Sequence, residues 1–124
     1  MMTNLIQLAR VYDAHAPFPP NTFLTDRLWP RGISKERLSG AEWLKNVAPS
    51  DTLRRAFHAG MDSWAQFIAH YRAELDANEA AWRGLLDILR SGGSITLLYG
   101  SKDTQHNQAV VLRDYLTEKL AAKR

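Results

Sequence analysis

Three short apolar runs along the chain have the composition of β-strands. Residues 5–12 alternate between apolar and polar positions, and residues 22–26 are rich in β-branched and aromatic side chains. The segment between them, 13–21, contains three prolines and is predicted to be a loop. The third run, Ile-Thr-Leu-Leu-Tyr at 95–99, is almost continuously apolar, which is typical of a strand covered on both faces.

Helical periodicity fills most of the chain outside these runs. Ser50 is a good N-cap, and Gly60 is a natural stop for the helix that follows it. Two longer segments carry apolar residues three and four positions apart, and Gly92-Gly93 ends the second of them. The predicted helical segments are 34–37, 42–47, 51–58, 62–75, 78–91 and about 104–121.

The order of these elements predicts an α/β fold. A helix, two glycines, a strand, a short loop and another helix follow one another at the end of the chain, which is the rhythm of α/β proteins. We therefore predict a small, mostly parallel sheet of about three strands packed by several helices, in a single domain over residues 1–124. The pattern leaves open whether the second and third strands are parallel neighbours.

The composition excludes several kinds of chemistry. The chain has no cysteine, so disulfides, thiolate nucleophiles and cysteine-bound metals are ruled out. Neither a phosphate-binding glycine loop nor a Gly-x-Ser-x-Gly elbow is present, and no pair of histidines has the spacing of metal ligands. We therefore expect no metal and no cofactor.

The hydropathy pattern also bears on location. No run approaches the roughly 18 consecutive apolar residues of a membrane span. Residues 1–10 lack a basic cluster followed by an apolar core, so we expect no signal peptide, no membrane association and a cytoplasmic protein.

Long motifs of unusual composition occur in order along nearly the whole chain. Two of them are Asp-Arg-Leu-Trp-Pro-Arg-Gly at 26–32 and Lys-Asp-Thr-Gln-His-Asn at 102–107, and others lie at 10–13, 43–45, 48–50, 64–67, 71–75, 97–99 and 109–112. With these motifs the chain resembles the YeaO-like branch of a bacterial family known as domain of unknown function 488. The resemblance implies an α/β fold and a small, stand-alone bacterial cytosolic protein, but it implies no activity. Longer relatives carry cysteines after the last strand, where this chain has Gly100 and Ser101, so their thiol or metal chemistry does not transfer.

The first candidate site follows the third strand. Lys102, Asp103, His106 and Asn107 lie where a short loop enters the last helix, and helix N-termini attract anions. Asp103 and His106 are three residues apart, so we assign them as a catalytic pair in which His106 moves a proton. Lys102 and Asn107 would bind the ligand. In the structural alternative, Asp103 caps the helix and holds His106, while Lys102 is solvated.

The second candidate site follows the second strand. Arg27, Arg31 and Lys35, with Asp26, are predicted to bind a ligand, because arginines form paired hydrogen bonds with phosphate and carboxylate groups. For Trp29 we favour a role as a lid on the core over a stacking role, because buried aromatic residues are far commoner than ligand platforms.

A weaker candidate lies in the middle of the chain. Arg54 and His58 are four residues apart and share a helical face, so together with Lys45 they would extend a basic patch, while Ser50 is most simply a cap. A solvated helix face explains the same charges. The remaining large aromatics are assigned to the core: Trp43, Trp64, Phe67, Tyr71 and Trp82.

These candidates lead to one geometric hypothesis and two functional ones. If the second and third strands are parallel neighbours, both polar clusters lie at one edge of the sheet, where α/β proteins bind ligands. The protein is then either an enzyme for a small anionic, phosphate-bearing substrate or a non-catalytic module that binds nucleic acid or protein. Its candidate partners are a small anionic ligand, nucleic acid and a second copy of the chain as a homodimer. A net charge of only +3 argues against nucleic acid.

Overall fold

The computed structural model describes residues 5–122, so the first four residues of the segment searched for a signal peptide lie outside it. Within this range the strands are β1 (Ile6–Arg10), β2 (Thr22–Leu24), β3 (Glu42–Trp43) and β4 (Ile95–Tyr99). The α-helices are α1 (Asp51–His58), α2 (Trp64–Asp76), α3 (Glu79–Arg90) and α4 (Gln108–Ala121), and short 3₁₀ helices cover Glu36–Leu38 and Lys45–Val47. None of the helices in residues 5–122 combines the length and the apolar content needed to cross a membrane.

The four strands form one parallel sheet in the order β1-β4-β2-β3. The last strand of the chain is therefore inserted between the first two, with Leu97 opposite Leu8 on one side and opposite Phe23 on the other. The predicted α/β fold with a small parallel sheet is confirmed, with four strands instead of about three. The second and third predicted strands, which are β2 and β4, are parallel neighbours.

The additional strand, β3, lies where the pattern predicts a helix. Residues 42–43 pair with β2, and the backbone N–H of Leu44 extends the pairing by donating to the carbonyl of Leu24 at 2.9 Å. Only residues 45–47 turn, as a 3₁₀ helix. The predicted helix over 42–47 is therefore wrong, because pairing with a distant strand satisfies backbone groups that a helix would have paired locally.

Both faces of the sheet are covered, as the continuous apolarity of β4 predicts. Phe23, Leu97 and Tyr99 belong to the core beneath the helices. Leu24 and Leu98 point to the opposite side and pack with residues from the loops after β1 and β2, among them Val11, Ile33 and Leu38. The sheet is thus the middle layer between α-helices on one face and loops on the other.

Side-chain caps set where the helices begin. Ser50 accepts a hydrogen bond from the backbone of Leu53, which confirms its predicted role at α1. Helix α2 begins at Trp64 and not at Asp62, because Ser63 occupies the cap position and exchanges hydrogen bonds with Gln66. Gly92 stops α3 with a positive φ of 93°, a conformation that glycine adopts readily.

The last helix begins four residues later than the pattern predicts. The Asn107 side chain accepts hydrogen bonds from the backbone N–H groups of Ala109 and Val110, so α4 begins at Gln108 and not at Thr104. Asp103 instead folds the preceding residues into a turn, because its Oδ1 accepts from the N–H groups of Gln105 and His106. The loop after β4 therefore extends from residue 100 to residue 107.

The aromatic residues divide between core and surface. Phe67, Tyr71 and Trp82 are buried as predicted, and Trp64 packs against them while partly buried. Trp43 is not a core residue, because it lies on the edge strand with 37% of its surface exposed.

Candidate functional site

A cleft with a volume of about 280 Å³ opens where β2 and β4 end. Its walls come from the loop after β2, the loop after β4 and one face of α1, and Tyr12 and Phe67 complete it. In an open parallel sheet the carboxyl ends of the strands are the usual place for a ligand, because the loops that follow the strands diverge there. The cleft is therefore the candidate site.

Asp26 joins the two strands at the wall of the cleft. Its Oδ1 accepts hydrogen bonds from the Gly100 backbone N–H at 3.2 Å and from Gln108 Nε2 at 2.7 Å, so it ties the end of β2 to the end of β4 and to the first residue of α4. Burial raises the pKa of the Asp26 carboxyl, against the opposing effects of these two hydrogen bonds and of the His58 charge.

Arg27 is fixed by the backbone of the segment that precedes α1. Its Nε donates to the Pro49 carbonyl at 2.7 Å, and its Nη2 donates to the Ala48 carbonyl at 3.2 Å. Both acceptors are neutral carbonyl groups, and Arg27 forms no ion pair with the other residues of 5–122. Arg31 also lines the cleft, and its side chain forms no hydrogen bond or ion pair with any other residue of the described chain.

One face of α1 supplies two further nitrogen-bearing side chains, Arg54 and His58. Arg54 Nη2 lies 2.5 Å from Asp51 Oδ1, and this hydrogen bond is the main cause that lowers the pKa of the Asp51 carboxyl. Arg54 Nε is the one buried side-chain nitrogen or oxygen in residues 5–122 that has no hydrogen-bond partner. A buried donor without an acceptor is unfavourable, so the protein itself leaves the hydrogen-bonding capacity of the Arg54 guanidinium incompletely used.

The loop after β4 contributes His106. Its Nδ1 lies 3.0 Å from Asp103 Oδ2, and its ring contacts Trp64 edge-on with ring centroids 5.0 Å apart. The backbone N–H of Gln105 is the main cause that lowers the pKa of the Asp103 carboxyl, and the hydrogen bond with His106 adds to it. Asp103 therefore orients the imidazole as an ionised acceptor, and it does not line the cleft itself.

Comparison with known proteins identifies the family. A sequence model of the inactive DUF488-N3 subclade matches residues 5–124. The chain belongs to this subclade. It is 44% identical over 111 residues to the uncharacterized protein YeaO of Escherichia coli K12, which covers 90% of this chain and 96% of YeaO. The uncharacterized proteins Mb3100c of Mycobacterium bovis and Rv3073c of Mycobacterium tuberculosis H37Rv are each 31% identical over 111 residues, covering 90% of this chain and 92% of theirs. No solved structure gives a significant match.

This member of the DUF488-N3 subclade has no cysteine in the loop after β4. Ser101 has the only hydroxyl there that lines the cleft, and its Oγ accepts a hydrogen bond from the Asp103 backbone N–H at 3.1 Å. Within residues 5–122 no hydrogen bond joins Ser101 to His106. The same residues contain no group of three acidic or histidine side chains close enough to hold a metal ion.

Most of the predicted site residues meet in the cleft. Asp26, Arg27 and Arg31 from the loop after β2 and His106 and Asn107 from the loop after β4 all line the cleft. The two polar clusters therefore converge at one edge of the sheet. The Asn107 side chain is committed to capping α4 and to the Asp103 carbonyl.

Three other predicted residues have different positions. Lys35 and Lys102 are exposed and do not line the cleft. Lys45 lies outside it as well, with its Nζ 5.4 Å from the centre of the exposed Trp43 ring. Trp29 lines the cleft, but its Nε1 donates to the Ile33 carbonyl at 2.6 Å and it packs against the loop-side core, which agrees with the predicted lid.

Sequence reasoning missed several residues of the cleft. Gln108 holds Asp26, and Tyr12 donates to the carbonyl of Arg31 at 2.7 Å, so it braces the loop after β2. Phe57 supplies apolar wall next to Arg54 and His58. A glutamine at the first helical position and a tyrosine after a strand carry no signal of their own. Phe57 lies in α1 with Arg54 and His58, which the sequence did indicate as a candidate basic patch. What the sequence did not predict is that α1 packs beside the two strand-end loops and forms a wall of the same cleft.

Proposed function

We propose that the cleft binds a small anionic ligand and holds it without reacting with it. The observation that carries this proposal is the imbalance of charged groups in the cleft wall. A single carboxylate, that of Asp26, faces a larger set of nitrogen-bearing side chains: Arg27, Arg31, Arg54, His58 and His106. Arginine guanidinium groups bind phosphate and carboxylate oxygens through paired, charge-assisted hydrogen bonds.

The size and lining of the cleft favour a metabolite over a polymer. A volume of about 280 Å³ lies just below the range of roughly 300–1,000 Å³ that is typical of small-molecule pockets. Phe57, Phe67 and Leu28 add apolar surface beside the charged groups. A ligand that combines an anionic group with a compact apolar or sugar-like body fits this lining best.

Binding without turnover is supported by two features. The subclade to which the chain belongs is described as inactive. The Ser101 hydroxyl in the wall of the cleft is engaged with the backbone of Asp103 and not with His106. In this proposal Asp103 orients the His106 imidazole so that it donates a hydrogen bond to the ligand. If an assay detected turnover, the pair would instead have the proton-transfer role of an enzyme.

The test is a thermal-shift and calorimetry panel of phosphate, sulfate, mononucleotides and small carboxylates at two salt concentrations. A ligand present at a hundred times its dissociation constant raises the free energy of unfolding by about 2.7 kcal/mol. We expect Arg31→Ala and Arg54→Ala each to weaken binding of the best anion by about 10–100-fold, since a hydrogen bond to a charged group contributes roughly 1.5–3 kcal/mol.

Lys35→Ala and Lys102→Ala are the matched controls, because each removes one positive charge outside the cleft. They should bind the anion as the wild type does. Equal losses in all four variants would indicate a general charge effect and would refute a specific site. A response only to oligonucleotides, with a steep salt dependence, would replace the proposal with nucleic-acid binding.

A further inference from the structure

The carboxylate of Asp26 is only half used by the protein. Both of its hydrogen bonds, from the Gly100 N–H and from Gln108 Nε2, end on Oδ1. Within residues 5–122 no side chain or backbone group donates to Oδ2. Asp26 lines the cleft, and Oδ1 is occupied on the side of the strands, so Oδ2 is the acceptor that remains for a ligand.

The room around Oδ2 depends on a glycine. A Cβ at residue 100 would lie 2.6 Å from Asp26 Oδ2, well inside van der Waals contact, so any other residue there would displace the carboxylate. The next nearest atoms to the same position are Asp26 Cγ at 3.7 Å and Pro30 Cβ at 3.9 Å. The absence of a side chain at Gly100 thus keeps Oδ2 in place.

The positive groups of the cleft do not neutralise this carboxylate. None of the ion pairs in the described chain includes Asp26, although Arg27, Arg31 and Arg54 all line the same cleft. Arg27 is held by carbonyl groups and Arg54 by Asp51, so neither guanidinium forms an ion pair with Asp26. The cleft therefore presents separate places for a negative group and for a hydrogen-bond donor.

We infer that the ligand carries a hydroxyl or amino group next to its anionic group, and that Asp26 Oδ2 accepts a hydrogen bond from it. This inference rests on the proposed function, which supplies the anionic group. It narrows the ligand class to hydroxylated or aminated anions, such as phosphorylated polyols, which should bind more tightly than simple alkyl phosphates and alkyl carboxylates. Asp26 is then a specificity-determining residue.

A matched pair of ligands tests this inference on the wild-type protein. Glycerol 3-phosphate and propyl phosphate carry the same phosphate group, but only the first has hydroxyl donors. We expect calorimetry to show that glycerol 3-phosphate binds at least roughly tenfold more tightly than propyl phosphate. A tenfold ratio corresponds to the lower end of the free energy that a hydrogen bond to a charged group contributes. Equal affinities would refute the inference while leaving the proposed anion site intact.

Asp26→Asn provides the second measurement. The two donors on the Oδ1 side require an acceptor there, so the variant amide would keep its oxygen toward Gly100 and Gln108 and turn its NH₂ toward the ligand. We expect the preference for glycerol 3-phosphate to disappear and propyl phosphate to bind more tightly, because a negative charge is lost. Thermal unfolding of the variant verifies that it folds. If neither phosphate binds the wild-type protein, the proposed function fails for phosphates and the inference fails with it.

Discussion

A methyl group at Gly100 should disturb the link between β2, β4 and α4. The new Cβ would lie 2.6 Å from Asp26 Oδ2, and Gly100 does not have a positive φ, so the effect of Gly100→Ala comes from this contact and not from backbone strain. Asp26 has a short side chain, and it cannot move away without lengthening the hydrogen bonds that its Oδ1 accepts.

The expected magnitude follows from these contacts. Overpacking in a well-packed region destabilises a protein by roughly 1–3 kcal/mol. Weakening one hydrogen bond to a carboxylate adds to this effect. We therefore expect Gly100→Ala to lower the free energy of unfolding by about 2 kcal/mol, and to lower Tm by roughly 6–12 °C for a chain of this size.

Urea and thermal unfolding of the variant measure this loss, and Gly84 supplies the matched control. Gly84 lies within α3 with nothing near the position of its missing Cβ, so Gly84→Ala should be more stable than wild type by about 0.5–1 kcal/mol. The double variant Asp26→Ala/Gly100→Ala lacks the carboxylate, so adding alanine at Gly100 should then have almost no effect. Additive losses in that double-mutant cycle, or a Gly100→Ala variant as stable as the control, would refute the contact as the cause.

Three further predictions concern stability. Tyr71→Phe should lower the free energy of unfolding by about 1–3 kcal/mol in urea, because the buried hydroxyl donates to the Val47 carbonyl at 2.6 Å and the variant leaves that carbonyl unpaired; an unchanged midpoint would contradict this. Asn107→Ala should lower it by about 1–2 kcal/mol through loss of the α4 cap, measured beside Ser63→Ala, whose cap is exposed and should matter less. Burial raises the pKa of the Asp26 carboxyl, so the stability that this group contributes is fully present below the ordinary carboxyl pKa of about 3.9 and is lost as pH rises through the raised pKa. Asp26→Asn should lack this dependence when the free energy of unfolding is measured from pH 3.5 to 7. Parallel curves for the variant and the wild type would contradict this prediction.

Local signals in the sequence were sufficient for most of the regular elements. The apolar run at 95–99 and the glycines before it predict β4, and Ser50 predicts the start of α1, because these features act on their own neighbours. The strand β3 was not predictable in this way. Two residues are too short to show alternation, and Glu42 and Trp43 become a strand only through pairing with β2.

The candidate site, too, was predictable from the sequence only where local signals were sufficient. The types of residue that follow β2 and β4 indicated an anion site, and the parallel pairing of those strands brings Arg31 and His106 to one cleft. Lys35 and Lys102 carry the same chemistry in the sequence but lie outside the cleft, because the direction of a loop side chain depends on tertiary contacts. The role of Gln108 was also hidden, since its partner Asp26 is 82 residues away in the chain.

The position of β4 in the sheet also determines when the molecule can assemble. Since β4 lies between β1 and β2, these two early strands cannot join one sheet until residues near the end of the chain are available. The pairing of Ile6 with Ile95 shows how far apart in the chain the partners are. Closing so long a loop is entropically unfavourable, and chains dominated by distant contacts fold slowly. On the ribosome, the complete sheet and the cleft at its edge therefore form late, after α1, α2 and α3 have emerged. A nascent chain that stops before β4 leaves β1 without a partner and leaves β2 paired only with the two-residue strand β3.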